Sequence, residues 1–262
     1  MGRLILPLTY YNLIFSKNYA IIYIEKMRKE MKTMRHDMTL IRNEFNDILD
    51  KLHSKLFDEF LANPTCDTYY AWSSAFCPSE FHGIEVHSGC TRAVIVAPDS
   101  NYVFKIQFDW RPEDDIVLDY GRNEEYVYGK AVEKGLEEFF AWTAFLGKYD
   151  SAAVYVMEKV EVNQDKTSED SYLYHIECLR NEGYDEEELE DHVYDYSDHE
   201  GMFEFAASVN GSVMNEVEGL LDYLCVGDCH AGNWGYRGTT LVLTDYAGYC
   251  QRVGSLYGRE EE

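Results

Sequence analysis

The stretch GDCHAGNWGYRGTTLVLTDYAG, Gly227 to Gly248, holds two aspartates and an asparagine around a short apolar run. Asp228 and Asn233 are five positions apart, and Asp245 follows the run Thr240 to Leu243. Carboxylate and amide oxygens suit Mg²⁺, and a metal that also holds phosphate groups needs only one or two protein carboxylates. A separate aspartate is needed to orient and deprotonate an attacking hydroxyl. The spacing therefore indicates a loop with a base and one metal ligand, and a neighbouring hairpin with the second metal ligand.

Composition and charge narrow the class of protein. Hydrophobic residues make up 46% of the 262-residue chain, which indicates a folded protein with one good core or two small lobes. The net charge is −25, and the acidic excess lies after Leu56, because basic residues predominate before it. Such a body repels nucleic acid and anionic membranes. We expect a solvated acidic surface and no binding to either.

Cysteine usage and the N-terminal segment bear on the compartment. The seven cysteines include no Cys-x-x-Cys pair, which favours reduced thiols over a disulfide framework or a zinc site. The uncharged segment Leu4 to Phe15 is too short to cross a bilayer, and no cleavage site for a signal peptide follows it. We therefore predict a cytoplasmic protein.

The apolar pattern along the chain predicts an α+β fold with two unequal lobes and an N-terminal helical extension. The predicted domains are residues 1–65 for the extension, 66–160 for a lobe with an antiparallel sheet and one helix, and 161–262 for a reduced acidic lobe. Short helices joined by loops are expected between Gln164 and Gly201. The predicted helices are Glu25 to Phe60, Asn123 to Gly135 and Met202 to Leu224, and the predicted strands are Arg92 to Ala97, Tyr102 to Phe108 and Ala152 to Val162.

The segments VGDCHAGN and TDYAG resemble two motifs of the protein-kinase-like superfamily, which includes protein kinases and aminoglycoside phosphotransferases. In that superfamily a catalytic loop HRDxxxxN or HGDxxxxN precedes a metal-binding Asp of the DFG type. The resemblance implies ATP and Mg²⁺ as cofactors, Asp228 as the base that orients the hydroxyl, and Asn233 and Asp245 as metal ligands. Val226 stands where the family has His, and Tyr246 stands where it has Phe.

A kinase-like fold also needs a lysine on its third strand and a glutamate on the next helix. The segment VFKIQF supplies Lys105 inside an apolar strand, and the helix after it offers Glu124 and Glu125. We favour Glu124, because apolar residues then follow on its face of the helix, whereas Glu125 would turn Gly129 inward.

Two further cofactor contacts are implied by the resemblance. Ser88 and Gly89 lie in HSGCTR, which is similar to the shortened Gly-x-x-Arg loop of bacterial and phage kinase-like proteins. Backbone amides near Gly89 would approach a phosphate group. The strand that begins at Ala152 would lead to the adenine edge, where Glu158 is implied as a contact.

The resemblance covers Gly83 to about Gly248 and implies a bilobal kinase-like fold with a truncated C-terminal lobe, as in minimal kinases of phages and bacterial effectors. The leading interpretation is a protein Ser/Thr kinase, whose acidic charge would steer a basic protein substrate. One alternative is a small-molecule kinase of the aminoglycoside type, with an acidic pocket supplied by Asp185 to Glu200. Another is an acidic binding protein that uses a kinase fold without catalysis. The oligomeric state stays open.

Overall fold

A computed structural model of the protein describes residues 36–76, 83–88, 91–108, 120–162, 164–185, 189, 199–227 and 229–246. They form α-helices and antiparallel β-sheets, so the chain has an α+β fold. It divides into two compact units, with the boundary between Lys51 and Leu52. The predicted domain limits at residues 65 and 160 stay predictions. Within the described ranges, no helix is long and apolar enough to cross a membrane.

The predicted helix Glu25 to Phe60 is interrupted in its described part. Helix α1 spans Met38–Leu52, and helix α2 spans Lys55–Ala62. Ser54 has an extended backbone, and its side chain accepts a hydrogen bond from Phe57 N at 3.2 Å. A serine at this position caps a new helix better than it continues an old one. The part of the prediction before residue 36 lies outside the described residues.

A five-stranded antiparallel sheet forms the first half of the larger unit, in the order β1-β2-β3-β5-β4. Helix α3 precedes it at Cys66–Ala75, and Tyr69 of α3 stacks on Phe108 just after β3, with ring centroids 4.9 Å apart. The predicted strand Ala152 to Val162 ends earlier, at Glu158, and β1 and β4 were not predicted. The strands are β1 Glu85–Ser88, β2 Arg92–Val96, β3 Tyr102–Gln107, β4 Thr143–Tyr149 and β5 Ala152–Glu158.

Helix α4, Tyr120–Lys134, connects β3 to β4 and packs against the sheet. It begins three residues before the predicted start and ends at Lys134, and the next residue, Gly135, has a positive φ of 73°. Val127 and Ala131 of the predicted apolar face are buried, whereas Val132 is half exposed. The helix is therefore anchored to the sheet along a narrower stripe than expected.

Among the residues that the structure describes, three helices and a hairpin follow. Helix α5, Gln164–Glu182, is longer than the short helices expected there, and most of the predicted stretch after Asp185 lies outside the described residues. The predicted helix Met202 to Leu224 is two helices, because Gly211 has a φ of +89° and ends the first. These are α6, His199–Asn210, and α7, Met214–Leu224. The hairpin consists of β6, Trp234–Arg237, and β7, Thr240–Leu243, as the apolar run predicted.

The hairpin packs into the core between α4, α6 and α7. Asn210, at the end of α6, pairs with β7 as a strand would: its Nδ2 donates to Leu241 O at 2.7 Å, and its Oδ1 accepts from Leu241 N at 3.0 Å. At the end of β7, Leu243 O accepts a hydrogen bond from Ala141 N at 2.8 Å, and Ala141 lies just before β4. These bonds fix the hairpin beside the sheet, where its two ends carry charged and polar side chains.

Candidate active site

Four charged side chains from distant parts of the sequence meet beside the sheet. Lys105 Nζ lies 2.8 Å from Glu124 Oε1, and Arg92 Nη1 lies 2.7 Å from the same oxygen. Arg92 Nη2 donates a hydrogen bond to Asp245 Oδ2 at 2.8 Å. The side chains of Arg92, Lys105 and Glu124 are at most 7% exposed, whereas that of Asp245 is 43% exposed. The cluster thus opens to solvent at Asp245.

Strand register explains why the two cations are neighbours. In the β2–β3 pair, Val94 lies opposite Lys105, and Arg92 lies opposite Gln107. Directly opposed residues share a face, and so do alternate residues along a strand. Arg92 and Lys105 are therefore diagonal neighbours on one face of the sheet, the face that α4 covers with Glu124.

A glycine lets helix α4 pack closely against the sheet. A Cβ added to Gly121 would lie 2.2 Å from the ring of Tyr155, which pairs with Lys105 in the β3–β5 register. Glu124, one turn later, is fully buried, and its Oε2 has no hydrogen-bond partner among the described residues. Glu125 is exposed and accepts a hydrogen bond from Phe145 N at 3.2 Å. Glu124 is thus the glutamate that faces Lys105.

The hairpin brings Asn233 and Asp245 to the same place. Asn233 precedes β6 and Thr244 follows β7, and Thr244 N donates to Asn233 O at 2.8 Å. Lys105 Nζ also donates to Thr244 O at 3.2 Å. Asn233 is buried at the end of the 3₁₀ turn Ala231–Asn233. His230 caps the start of this turn, because its Nδ1 accepts a hydrogen bond from Gly232 N at 3.0 Å. One lysine therefore touches both the helix glutamate and the backbone beside the predicted metal ligands.

Tyr246, the residue after Asp245, is anchored in the core. Its ring is fully buried and meets Phe140 edge to face at 5.1 Å, and its hydroxyl donates to Ala141 O at 2.6 Å. Burial, together with the negative charge of Glu124, raises the pKa of Tyr246 well above its ordinary value. The residue after Asp245 is therefore fixed in the core by both a ring contact and a hydrogen bond.

Burial and charge shift the two cations of the cluster in opposite directions. Burial lowers the pKa of Lys105, although Glu124 opposes that shift. Burial alone would also lower the pKa of Arg92, but the carboxylates of Asp245 and Glu124 raise it above its ordinary value. The carboxylates therefore outweigh burial at Arg92, whereas burial outweighs the carboxylate of Glu124 at Lys105.

The structure describes only some of the remaining predicted site residues. Asp228 and Gly89 are outside the described residues, and only the backbone of Ser88, at the end of β1, is described. Glu158 is three residues along β5 from Tyr155, about 10 Å at the usual rise of a strand. Its Oε2 accepts from Arg237 Nη2 at 2.7 Å, so its side chain binds the far end of the hairpin.

The resemblance implies Mg²⁺, and two of its predicted ligands lie in the described part of the site. Among the residues that the structure describes, no group of three or more His, Cys, Asp and Glu is placed to hold a metal ion. Asn233 and Asp245, at one end of the hairpin, still offer one amide and one carboxylate. Such oxygens fit Mg²⁺ when nucleotide phosphates and water complete its shell.

Sequence reasoning did not assign a site role to Arg92. Two signals pointed to it: it is the Arg of the Gly-x-x-Arg pattern, and it begins the otherwise apolar strand RAVIV.

Comparisons of the chain with known proteins found no matching family model, curated sequence or solved structure.

Proposed function

We propose that the protein is an ATP- and Mg²⁺-dependent phosphotransferase with a bilobal kinase-like fold and a reduced second lobe, and that a protein Ser or Thr hydroxyl is the acceptor. The observation that carries the proposal is the buried contact of Lys105 with Glu124 at 2.8 Å, beside the hairpin end with Asn233 and Asp245. A lysine on the third strand paired with a glutamate on the next helix is what phosphate binding requires in kinases.

The residues of the chain divide the work by position. Lys105, oriented by Glu124, would bind nucleotide phosphates, and Asn233 and Asp245 would hold the metal. Mg²⁺, when bound, supplies positive charge to the phosphate oxygens. Asp228 would orient the acceptor hydroxyl and take its proton. Catalysis would rest on positioning and electrostatics, with no covalent enzyme intermediate.

Charge favours a basic protein as the acceptor. The net charge of −25 gives the chain a strongly negative field, which attracts basic partners and raises their association rate. A cationic small molecule would be attracted in the same way. Basic proteins and cationic small molecules are therefore both candidate acceptors.

The second candidate is a binding protein without catalysis on the same fold. One observation favours it: the cluster contains two cations, Arg92 and Lys105, and two carboxylates, Glu124 and Asp245, so its charges balance without a ligand. Such a cluster needs no nucleotide phosphate to balance its charge. The acidic surface would then be the functional part.

The test is transfer of labelled phosphate from ATP with Mg²⁺ to a set of basic proteins and aminoglycosides. Asp228→Ala and Asp245→Asn are compared with wild type, and Asp222→Asn, an exposed carboxylate on α7, is the matched control. We expect transfer by wild type and the control, and a loss of about 10²–10⁴-fold in the site variants. No transfer and no nucleotide-dependent thermal shift in wild type would reject the kinase proposal in favour of the binding protein.

A further inference from the structure

We propose that Arg92 is the positioning residue that fixes the carboxylate of Asp245 for metal binding. This inference rests on the proposed function, because it gives the site a residue on β2 that acts through a metal ligand. Arg92 is 153 positions from Asp245 in the sequence, yet its Nη2 lies 2.8 Å from Asp245 Oδ2. Its Nη1 lies 2.7 Å from Glu124 Oε1.

The shape of the arginine side chain is what the geometry uses. A guanidinium group is planar, and its nitrogens keep fixed distances from one another, so Nη2 can donate a hydrogen bond to Asp245 while Nη1, which is not aligned for a hydrogen bond, forms an ion pair with Glu124. Here the two carboxylates come from different elements, α4 and the end of the hairpin. A lysine at this position offers a point charge on a flexible stem and fixes their separation less well.

Burial determines which member of the cluster can take a ligand. The side chains of Arg92 and Glu124 are 7% and 0% exposed, whereas that of Asp245 is 43% exposed. A carboxylate has about four lone-pair sites. Asp245 can therefore remain bonded to Arg92 while it binds a metal on its solvent side, and Arg92 sets the direction in which it does so.

The charge of Arg92 also keeps the site assembled before any ligand binds. Without it, Lys105 would be the remaining cation among the four side chains, and Asp245 would lose its ion pair with Arg92. Groups that hold a metal-binding side chain from behind commonly contribute 10–100-fold to metal affinity. We expect a loss of about 10-fold or more in Mg²⁺ affinity when Arg92 is replaced by Gln.

The experiment measures the Mg²⁺ concentration at half effect in the nucleotide-dependent thermal shift, at a fixed saturating ATP concentration. The variants are Arg92→Gln and Arg92→Lys. The control is Thr65→Ala, which removes the capping hydroxyl of α3 and destabilises the fold away from the cluster. We expect the Mg²⁺ midpoint to rise about 10-fold or more in Arg92→Gln and less in Arg92→Lys, and to stay at the wild-type value in Thr65→Ala.

Each other outcome overturns the inference in a distinct way. An unchanged midpoint in both Arg92 variants would make Arg92 a purely structural residue. A lower midpoint would mean that Arg92 competes with the metal for Asp245. Arg92→Lys keeps the cation and supplies the measurement if Arg92→Gln does not fold. Absence of any Mg²⁺-dependent nucleotide shift in wild type would instead reject the proposed function itself.

Discussion

The two ends of the β6–β7 hairpin are each held by an arginine, and the two arginines are satisfied differently. At one end Arg237 uses Nε and Nη2 to bind both oxygens of Glu158, at 3.0 and 2.7 Å. It also donates to the carbonyl oxygens of Glu138 and Phe140, at 2.9 and 3.0 Å. The guanidinium group of Arg237 thus donates hydrogen bonds both to a carboxylate and to backbone carbonyl oxygens, which is a purely structural attachment.

At the other end Arg92 contacts only carboxylates among the described residues, those of Glu124 and Asp245. Lys105 shares Glu124 with it, so one buried carboxylate oxygen serves two cations. Burying charges is costly, and side-chain pairing alone offsets that cost incompletely. One end of the hairpin is therefore attached through backbone and side-chain acceptors, whereas the other depends on the balance of buried charges.

The largest expected effect separates the two ends by removing one carboxylate charge from each. Glu124→Gln leaves Arg92 and Lys105 buried with too little negative charge, and we expect a loss of about 3–5 kcal/mol in the free energy of unfolding. Glu158→Gln leaves Arg237 its two carbonyl acceptors and partial exposure to water, and we expect about 1–2 kcal/mol. Urea denaturation of both variants measures the difference. Equal losses would contradict the distinction between the two ends.

The next effect tests how α4 delivers Glu124 to the ligand end. Gly121→Ala places a Cβ against the buried ring of Tyr155, so the helix must shift, at a cost of about 2–3 kcal/mol. The shift also moves Glu124 away from Lys105. Gly129→Ala, on the same helix and with no atom near its Cβ, should stabilise by about 0.5–1 kcal/mol.

Thermal denaturation of both alanine variants, with and without ATP and Mg²⁺, makes this comparison. The nucleotide-dependent shift should fall in Gly121→Ala and persist in Gly129→Ala. A Gly121→Ala protein as stable as wild type would show that the approach of α4 to β5 is looser than the structure has it.

Local sequence predicted the parts of the fold and site that depend on local pattern. The apolar neighbours of Lys105 indicated its strand, and helical periodicity selected Glu124 over Glu125 as the inward residue, as their burial shows. The strand before Asp245 was predicted from its apolar run. Whether these residues bind a nucleotide stays a prediction, since geometry alone does not test it.

Other features escaped because their cause is tertiary or depends on one side chain. The interruption at Ser54 follows from a cap, in a stretch with no Pro or Gly to mark it. Strand β4 contains a register shift between Phe145 and Gly147, which breaks the alternation that a strand prediction needs. The contact of Arg92 with Asp245 spans 153 positions, which no local pattern encodes.

The smallest expected effect concerns Tyr246, which joins the ligand end to the segment that also receives Arg237. Its hydroxyl donates to Ala141 O, next to the Phe140 carbonyl that Arg237 binds. Tyr246→Phe removes one buried hydrogen bond, and we expect a loss of about 1 kcal/mol near neutral pH. The melting temperature should fall by about 2–4 °C.

The pH dependence of that loss identifies its origin. Because burial raises the pKa of Tyr246 in the folded state, the hydroxyl contributes its full stability below the pKa of an unfolded tyrosine, about 10. Above that pH the unfolded chain releases the proton while the folded chain retains it, so stability falls by up to about 1.4 kcal/mol per pH unit. Tyr246→Phe lacks this dependence. Urea denaturation at pH 8 and near pH 11 should therefore show the advantage of wild type shrinking or reversing, and a constant gap would mean that Tyr246 is accessible to solvent in the folded protein.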